Sequence, residues 1–308
     1  MSQLSCHIRD YLALRRALGF KLEKQGRLLP DFAAFAEAAG AGTVTVDLAV
    51  RWAALPEGAS PVWAAQRLSM VRGFARYLQT VDPAAQVLPA DLLAARTSRV
   101  TPYIYSDADI AALLATARKL RNPLKAATFA TLIGLLAVTG LRGSEAMRLD
   151  RGDLDAVAGL LTIRATKFRK SRQLPLHPTT LRALVDYQAL RERLCPAPAT
   201  ASLLVSTTGA RLCQATVQPV FRRLLRQAGI GQGTPRPRPV IHGLRHTFAV
   251  KTLLGWYQDG QDVQARMPAL STYLGHAGPA ATYWYLSATP ELLALAAGRL
   301  ETTPGGAR

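Results

Sequence analysis

The sequence predicts a mainly α-helical protein with one small β-sheet, divided into an all-helical N-terminal domain and a larger mixed α/β domain. Three observations carry that prediction. A chain of 308 residues has room for two domains, each with its own core. The first hundred residues show only helix-period apolar patterning. One short stretch, 160–176, switches to strand-like spacing, with helical patterns on either side of it.

The four N-terminal helices follow in order. Leu4, Ile8, Tyr11, Leu12, Leu14, Leu18 and Phe20 recur at helical spacing, with Arg9, Arg15 and Arg16 between them. Leu28 to Ala39 repeats the pattern through Phe32 and Phe35, and Gly40 closes it. Asp47 to Leu55 is short and opens on a capping residue, Asp47. The fourth helix begins at Ser60-Pro61 and carries Trp63, Leu68, Val71, Phe74 and Leu78, interleaved with Arg67, Arg72 and Arg76. Trp52 and Trp63 are expected in the core. Asp82-Pro83, Pro89 and the segment 96–102 break the periodicity, so the domains are read as 1–98 and 106–308, with 99–105 as linker.

In the second domain, Ser106-Asp107-Ala108-Asp109 caps a helix through Ile110, Leu113 and Leu114. Asn122-Pro123 starts another, which runs to Thr139-Gly140. Arg142 then stands at a Gly-flanked bend just ahead of a helix start, where a guanidinium either joins a phosphate pocket or pairs locally with Glu145. Leu160 to Ala165 and Gln173 to Leu176 read as a hairpin whose tip, Thr166-Lys167-Phe168-Arg169-Lys170-Ser171-Arg172, is basic and holds no acid. Leu181 to Leu194 and Val217 to Ala228 are helices, and Leu203 to Val205 is a candidate short strand. The Pro-rich 234–239 segment then delivers the chain to His242. There His242 and Arg245 lie three apart, on one helical face.

Charge and composition bound the function. The chain carries 38 Lys and Arg against 20 Asp and Glu, a formal net charge of +18. Residues 101–308 hold most of that excess. Such a surplus predicts a polyanionic partner held by phosphate contacts, namely nucleic acid, although charge alone does not separate binding from chemistry. Apolar content of 49% excludes a disordered chain. No signal-peptide pattern opens the sequence, and the most apolar run, Ala126 to Leu141, is too short to span a bilayer. Cys6, Cys195 and Cys213 are few, odd in number and widely spaced, which points to free thiols in the cytoplasm rather than a metal knuckle. The arginines Arg67, Arg72 and Arg76, and the hairpin residues Arg169, Lys170 and Arg172, are candidate DNA contacts, with a solvated basic face as the alternative.

Four motifs in order carry a resemblance. They are Thr-Gly-Leu-Arg-Gly-Ser-Glu (139–145), Thr-Lys-Phe-Arg-Lys-Ser-Arg (166–172), His-Gly-Leu-Arg-His-Thr-Phe-Ala (242–249) and Leu-Gly-His (274–276), with a tyrosine nine residues further on. Together they resemble the tyrosine recombinase (phage integrase) family across most of residues 106–290. The helical N-terminal domain is similar to that family's core-binding domain. The resemblance implies a site-specific DNA recombinase that cuts and rejoins strands through a 3′-phosphotyrosyl intermediate, without metal or ATP. It makes Arg142 and Arg245 the guanidiniums on the nonbridging oxygens, Lys167 the general acid and His242 the proton acceptor. His276 becomes a phosphate ligand, Tyr285 the nucleophile and Glu145 a supporting acid. Tyr283 is the rival nucleophile.

The same resemblance implies double-stranded DNA as partner, a homotetramer on paired sites, and accessory recombinases. The ending 282–293 is closer to transposon-borne members. The alternatives are a catalytically silent DNA-binding regulator and a type IB topoisomerase-like relaxing enzyme. One departure concerns geometry. Arg245 and His276 lie 31 residues apart, which predicts an enlarged loop or helix around 256–269.

Overall fold

The computed structural model describes residues 2–93, 101–164, 171–233, 237–276, 278, 280–287 and 290–295. Lys167, Arg169 and Lys170, all expected at the site or on DNA, lie outside the described residues. The chain forms two compact units, Met1–Arg99 and Val100–Arg308.

The first unit holds helices α1 (Gln3–Ala17), α2 (Gln25–Ala38), α3 (Val46–Ala54) and α4 (Pro61–Leu78). Ser2, Thr45 and Ser60 cap three of them by accepting a backbone N–H in the first turn. Thr45, rather than the expected Asp47, is the cap of α3; Asp47 lies one residue inside the helix, where its charge favours the N-terminus. Leu4, Ile8, Phe32, Trp52, Leu68, Val71, Phe74 and Leu78 form one core. Full burial of a side chain such as Phe32 stabilises the unit by about 1.5–3 kcal/mol.

Two of the three α4 arginines have partners within the unit. Arg67 is buried, with its guanidinium 3.7 Å above the Trp52 ring, and it donates to the Trp52 carbonyl at 2.8 Å. Asp31 is its acid partner at 3.7 Å. Arg72 is half-buried and donates to the carbonyls of Leu88 (3.0 Å) and Ala90 (3.2 Å), holding the segment that follows the helix. Arg76 is exposed and remains a candidate contact. Trp52 is wholly buried, whereas Trp63 is only half-buried.

The second unit runs α5 (Asp107–Arg118), α6 (Pro123–Thr139), α7 (Gly143–Ala146), β1 (Leu154–Asp155), β2 (Leu160–Ile163), β3 (Arg172–Pro175), α8 (Pro178–Leu194), α9 (Gln214–Gln227), α10 (Gly243–Gln258), α11 (Val263–Leu274) and α12 (Ala280–Tyr283). The strands form an antiparallel sheet in the order β1-β2-β3, with Leu160 opposite Pro175 and Ile163 opposite Arg172. Leu203 to Val205, a candidate strand, is buried but takes part only in single bridges, with Val205 opposite Arg211. Leu132, Ile133 and Leu136 of the apolar α6 lie in the main core with Leu113, Leu161, Ile163, Leu184 and Leu224. A second cluster joins Ala249, Val250 and Leu253 of α10 to Met267, Leu270 and Leu274 of α11, and includes Tyr285 and Leu292.

The last residue of the expected linker 99–105 is packed into the second unit. Tyr105 is fully buried in the second unit; its N–H donates to Thr247 Oγ1 (2.8 Å) and its hydroxyl to the Val240 carbonyl (2.9 Å). Among the described residues, no helix is long and apolar enough to cross a membrane.

Arg67 is thus a packing residue, and its truncation tests this. Arg67→Ala is expected to lower unfolding stability by about 2 kcal/mol, from the lost cation–π and charged hydrogen bond, without reducing the salt dependence of DNA binding. Chemical denaturation and a salt titration of binding measure the two effects. Full stability combined with weakened DNA binding contradicts the assignment.

Candidate active site

The site is assembled on the end of α11. Gly275 terminates that helix in the left-handed region, at φ +69°, which leaves the last carbonyls pointing outward without helical partners. Three arginines take three consecutive ones. Arg172 Nε donates to the Tyr273 carbonyl (2.8 Å), Arg245 Nη2 to Leu274 (2.8 Å) and Arg142 Nη2 to Gly275 (3.0 Å). A side chain at Gly275 would collide with the Arg172 guanidinium. Arg245 also donates through Nη1 to the carbonyl of Gly140 (2.8 Å), the left-handed residue that ends α6. An added Cβ at Gly140 would overlap the Phe248 ring, so the close approach of α6 to α10 requires glycine there.

Glu145 joins two of these arginines. It is buried, and its carboxylate accepts from Arg142 Nη1 at 2.7 Å and from Arg172 Nη2 at 2.8 Å. It also accepts the backbone N–H of Arg142 (3.1 Å), so Glu145 caps the single turn of α7. That turn is too short for the helix-dipole contribution expected beside Arg142. Burial pushes the Glu145 carboxyl upward, and the two guanidiniums outweigh burial, holding it below the usual carboxylate range. Arg172, expected as a phosphate contact, is instead drawn inward, with its side chain 10% exposed.

The helix pair α10–α11 closes the site. The step of 31 positions from Arg245 to His276 is made by two helices, α10 and α11, turning through Asp259-Gly260, so of the loop or helix expected there it is helix, and the Arg245–Leu274 hydrogen bond ties their ends together. His276 follows immediately, with Nδ1 2.7 Å from the hydroxyl of the buried Thr282. Tyr285 sits in a one-turn 3-10 helix (Trp284–Ser287) and is 2% exposed, whereas Tyr283 is 43% exposed. The Tyr285 hydroxyl lies 3.2 Å from His246 Nδ1 and beside the Arg245 guanidinium. The His276 and Tyr285 rings are near parallel, with centroids 6.1 Å apart. His242 packs edge-on against His246, at 4.7 Å between centroids. The imidazole hydrogen-bonded to the phenol oxygen is therefore His246, and His242, expected as the proton acceptor, packs against it.

Electrostatics follow from this crowding. Burial, then Arg142, pushes Arg245 down to about 10, which leaves it charged at neutral pH. His246 is pushed down to about 4 by burial, then by His242, Arg245 and His276. His276 also falls to about 4, from burial and then Arg245, Arg142 and Arg172. His242, exposed at the surface, is lowered by burial of part of its ring, then by Arg245 and Arg142. Burial raises the Tyr285 phenol, against a downward pull from Arg245 and Arg142. The site is thus a cationic pocket with neutral imidazoles around a phenol, suited to an anionic phosphodiester. Among the described residues, no group of His, Cys, Asp or Glu side chains is placed to hold a metal ion.

Comparison with known proteins agrees with the geometry. The phage integrase family profile matches residues 105–291. The chain belongs to the phage integrase family. It is a tyrosine recombinase, an enzyme class that cleaves and rejoins DNA. A Sinorhizobium fredii relative designated an integrase/recombinase, y4rB, is 44% identical over 98% of both chains. The tyrosine recombinase XerC of Azotobacter vinelandii is 33% identical, over 72% of this chain and 68% of its own. In fold, the Tn1549 transposon integrase matches 96% of this chain and 98% of its own, with a TM-score of 0.68 at 16% identity. The integrase motifs thus converge in space on Arg142, Glu145, His242, Arg245, His276 and Tyr285. His246, Arg172 and Thr282 complete the constellation, and the motifs alone did not assign them roles there.

The depressed histidines make the integrase site sensitive to acid. His246 and His276 titrate near 6.5 when free and at about 4 in the fold, so the unfolded chain takes up protons first as pH falls. Their contribution is present in full above pH 6.5 and is lost progressively as pH falls toward 4. Thermal unfolding should show Tm dropping across that window, with a shallower drop in a His246→Gln/His276→Gln double variant. A Tm independent of pH from 7 to 4 contradicts the site's electrostatics.

Proposed function

We propose that this integrase carries out site-specific recombination through a 3′-phosphotyrosyl intermediate on Tyr285, with neither metal nor ATP in the reaction. The observation that carries the proposal is the buried Tyr285 hydroxyl, set beside Arg245, His246 and His276 with Arg142 anchored to the same helix end. A phosphodiester resists anionic attack, and negative charge builds on its nonbridging oxygens in the transition state. Two guanidiniums held by carbonyls before substrate arrives stabilise that charge without reorganising. Each uses only some of its five N–H donors on the protein, so others are available to phosphate.

In this reading Tyr285 attacks phosphorus, His276 donates to a phosphate oxygen, and Lys167 protonates the leaving 5′ oxygen. The place of Arg172 supports the role of Lys167: the first residue of β3 reaches Glu145, so the root of the Lys167 hairpin stands at the site. The phosphotyrosyl bond conserves the energy of the broken diester, so rejoining needs no nucleotide. Arg76, Arg169 and Lys170 are the proposed backbone contacts of double-stranded DNA. A homotetramer on two sites, with or without accessory recombinases, is the proposed assembly.

The test uses a duplex selected from a randomised pool for tight binding. Wild type is expected to form a denaturant-resistant protein–DNA adduct; Tyr285→Phe should reduce it to background, and Tyr283→Phe should leave it intact. Arg245→Ala should slow adduct formation by about 10² to 10³-fold. An undiminished adduct from Tyr285→Phe, or its loss from Tyr283→Phe alone, contradicts the reading.

A further inference from the structure

We propose that His246, the residue that follows Arg245, is the group that takes the proton from Tyr285 during cleavage and returns it during rejoining. The inference rests on the phosphotyrosyl reading above and adds a residue with a role of its own. Its geometric basis is the contact between His246 Nδ1 and the Tyr285 hydroxyl at 3.2 Å. His276 engages Thr282 through its own Nδ1, and His242 meets His246 edge-on.

The environment of His246 suits the role. His242 lies one helical turn before it on α10, and the rings pack perpendicular to one another. Trp284 and Tyr285 cover it from the 3-10 helix, at 5.5 Å between centroids in each case. Arg245 and His276 complete the charged and titratable groups acting on it. Aromatic packing on two sides fixes the ring, so Nδ1 stays directed at the phenol. A neutral imidazole accepts the phenolic O–H through the lone pair on Nδ1, with its own proton on Nε2. Burial, then His242, Arg245 and His276, keep it neutral, and the Arg245 charge is one that a phosphodiester would offset on binding. Substrate would then raise the basicity of His246 at the moment a base is needed.

The step balances. The Tyr285 O–H bond breaks and its proton passes to His246 Nδ1 while the phenol oxygen forms a bond to phosphorus. The phosphorus–5′ oxygen bond breaks, its electron pair stays on that oxygen, and the oxygen takes a proton from Lys167. Rejoining runs in reverse: the 5′ hydroxyl returns its proton to Lys167, and the departing phenolate recovers its own from His246.

Two measurements on the full chain test the assignment. Nitrogen NMR of histidine-labelled protein without DNA should show His246 with Nδ1 unprotonated at neutral pH, and its resonance should move in Tyr285→Phe. A protonated Nδ1 in wild type, or a resonance indifferent to Tyr285→Phe, overturns the proposal. With the selected duplex, His246→Gln should slow adduct formation by about 10² to 10⁴-fold. The variant's rate should then climb about tenfold per pH unit between 6 and 9, because phenolate must form without a base, while wild type stays level there. Glutamine keeps a hydrogen-bonding group but cannot take a proton, so a near-normal rate with a level profile means that His246 only positions the ring, and overturns the proposal. If wild type forms no adduct on any selected duplex, the phosphotyrosyl reading fails, and the NMR result still decides whether His246 accepts from Tyr285.

Discussion

The last carbonyls of α11 and the three arginines that occupy them are the constraint on which the catalytic unit depends. A helix C-terminus presents unsatisfied acceptors and the negative end of the helix dipole, and guanidiniums meet both demands. Here the donors come from three separate places in the chain: Arg142 ahead of α7, Arg172 on β3 and Arg245 in α10. Charged hydrogen bonds of this kind contribute on the order of 1.5–3 kcal/mol each where they are buried. Arg245, 2% exposed and bonded to both Gly140 and Leu274, is the one to which that estimate applies best. Its two carbonyls also fasten the end of α6 to the end of α11.

Glu145 makes this arrangement tolerable electrostatically. Without it, Arg142, Arg172 and Arg245 would repel one another in a partly desolvated pocket. Its carboxylate compensates two of them and caps α7, yet leaves the pocket cationic overall. Burial, with the remaining positive charge adding to it, keeps His246 and His276 neutral, and that charge pulls against the upward shift of the Tyr285 phenol. Structure and chemistry therefore draw on the same charges. The groups that hold the end of α11 are the groups that would meet a phosphate, so the geometry for charge stabilisation exists before DNA arrives.

Much of this was legible in the sequence, and the parts that were not share a cause. The helix starts at Ser60-Pro61, Ser106 and Asn122-Pro123, the β2–β3 hairpin and the motif residues Arg142, Arg245, His276 and Tyr285 are written in local pattern and order. Arginine burial is decided by distant residues, and that is where surface contacts were expected wrongly. Even so, two signals were present. Arg67 falls on the same stripe as Val71, Phe74 and Leu78, at spacings of four, three and four, so it points toward the core. Arg172 lies two residues before the buried Leu174 on a strand and shares its face. His246, four residues after His242, likewise lies on the site-facing side of α10. The span from Arg245 to His276 is bridged by two helices whose ends, far apart in sequence, are adjacent in space; Asp259-Gly260 and the Asp262 cap were its local clues.

A double-mutant cycle between Glu145 and Arg172 probes the clasp most directly, because neither residue is assigned to the phosphate or to the nucleophile. Unfolding free energies of wild type, Glu145→Gln, Arg172→Gln and the double variant give the coupling between them. If these charges together hold the end of α11, the coupling should be roughly 1–3 kcal/mol. Additive effects, within about 0.5 kcal/mol, would mean that the arginines and Glu145 act independently, and would contradict the account.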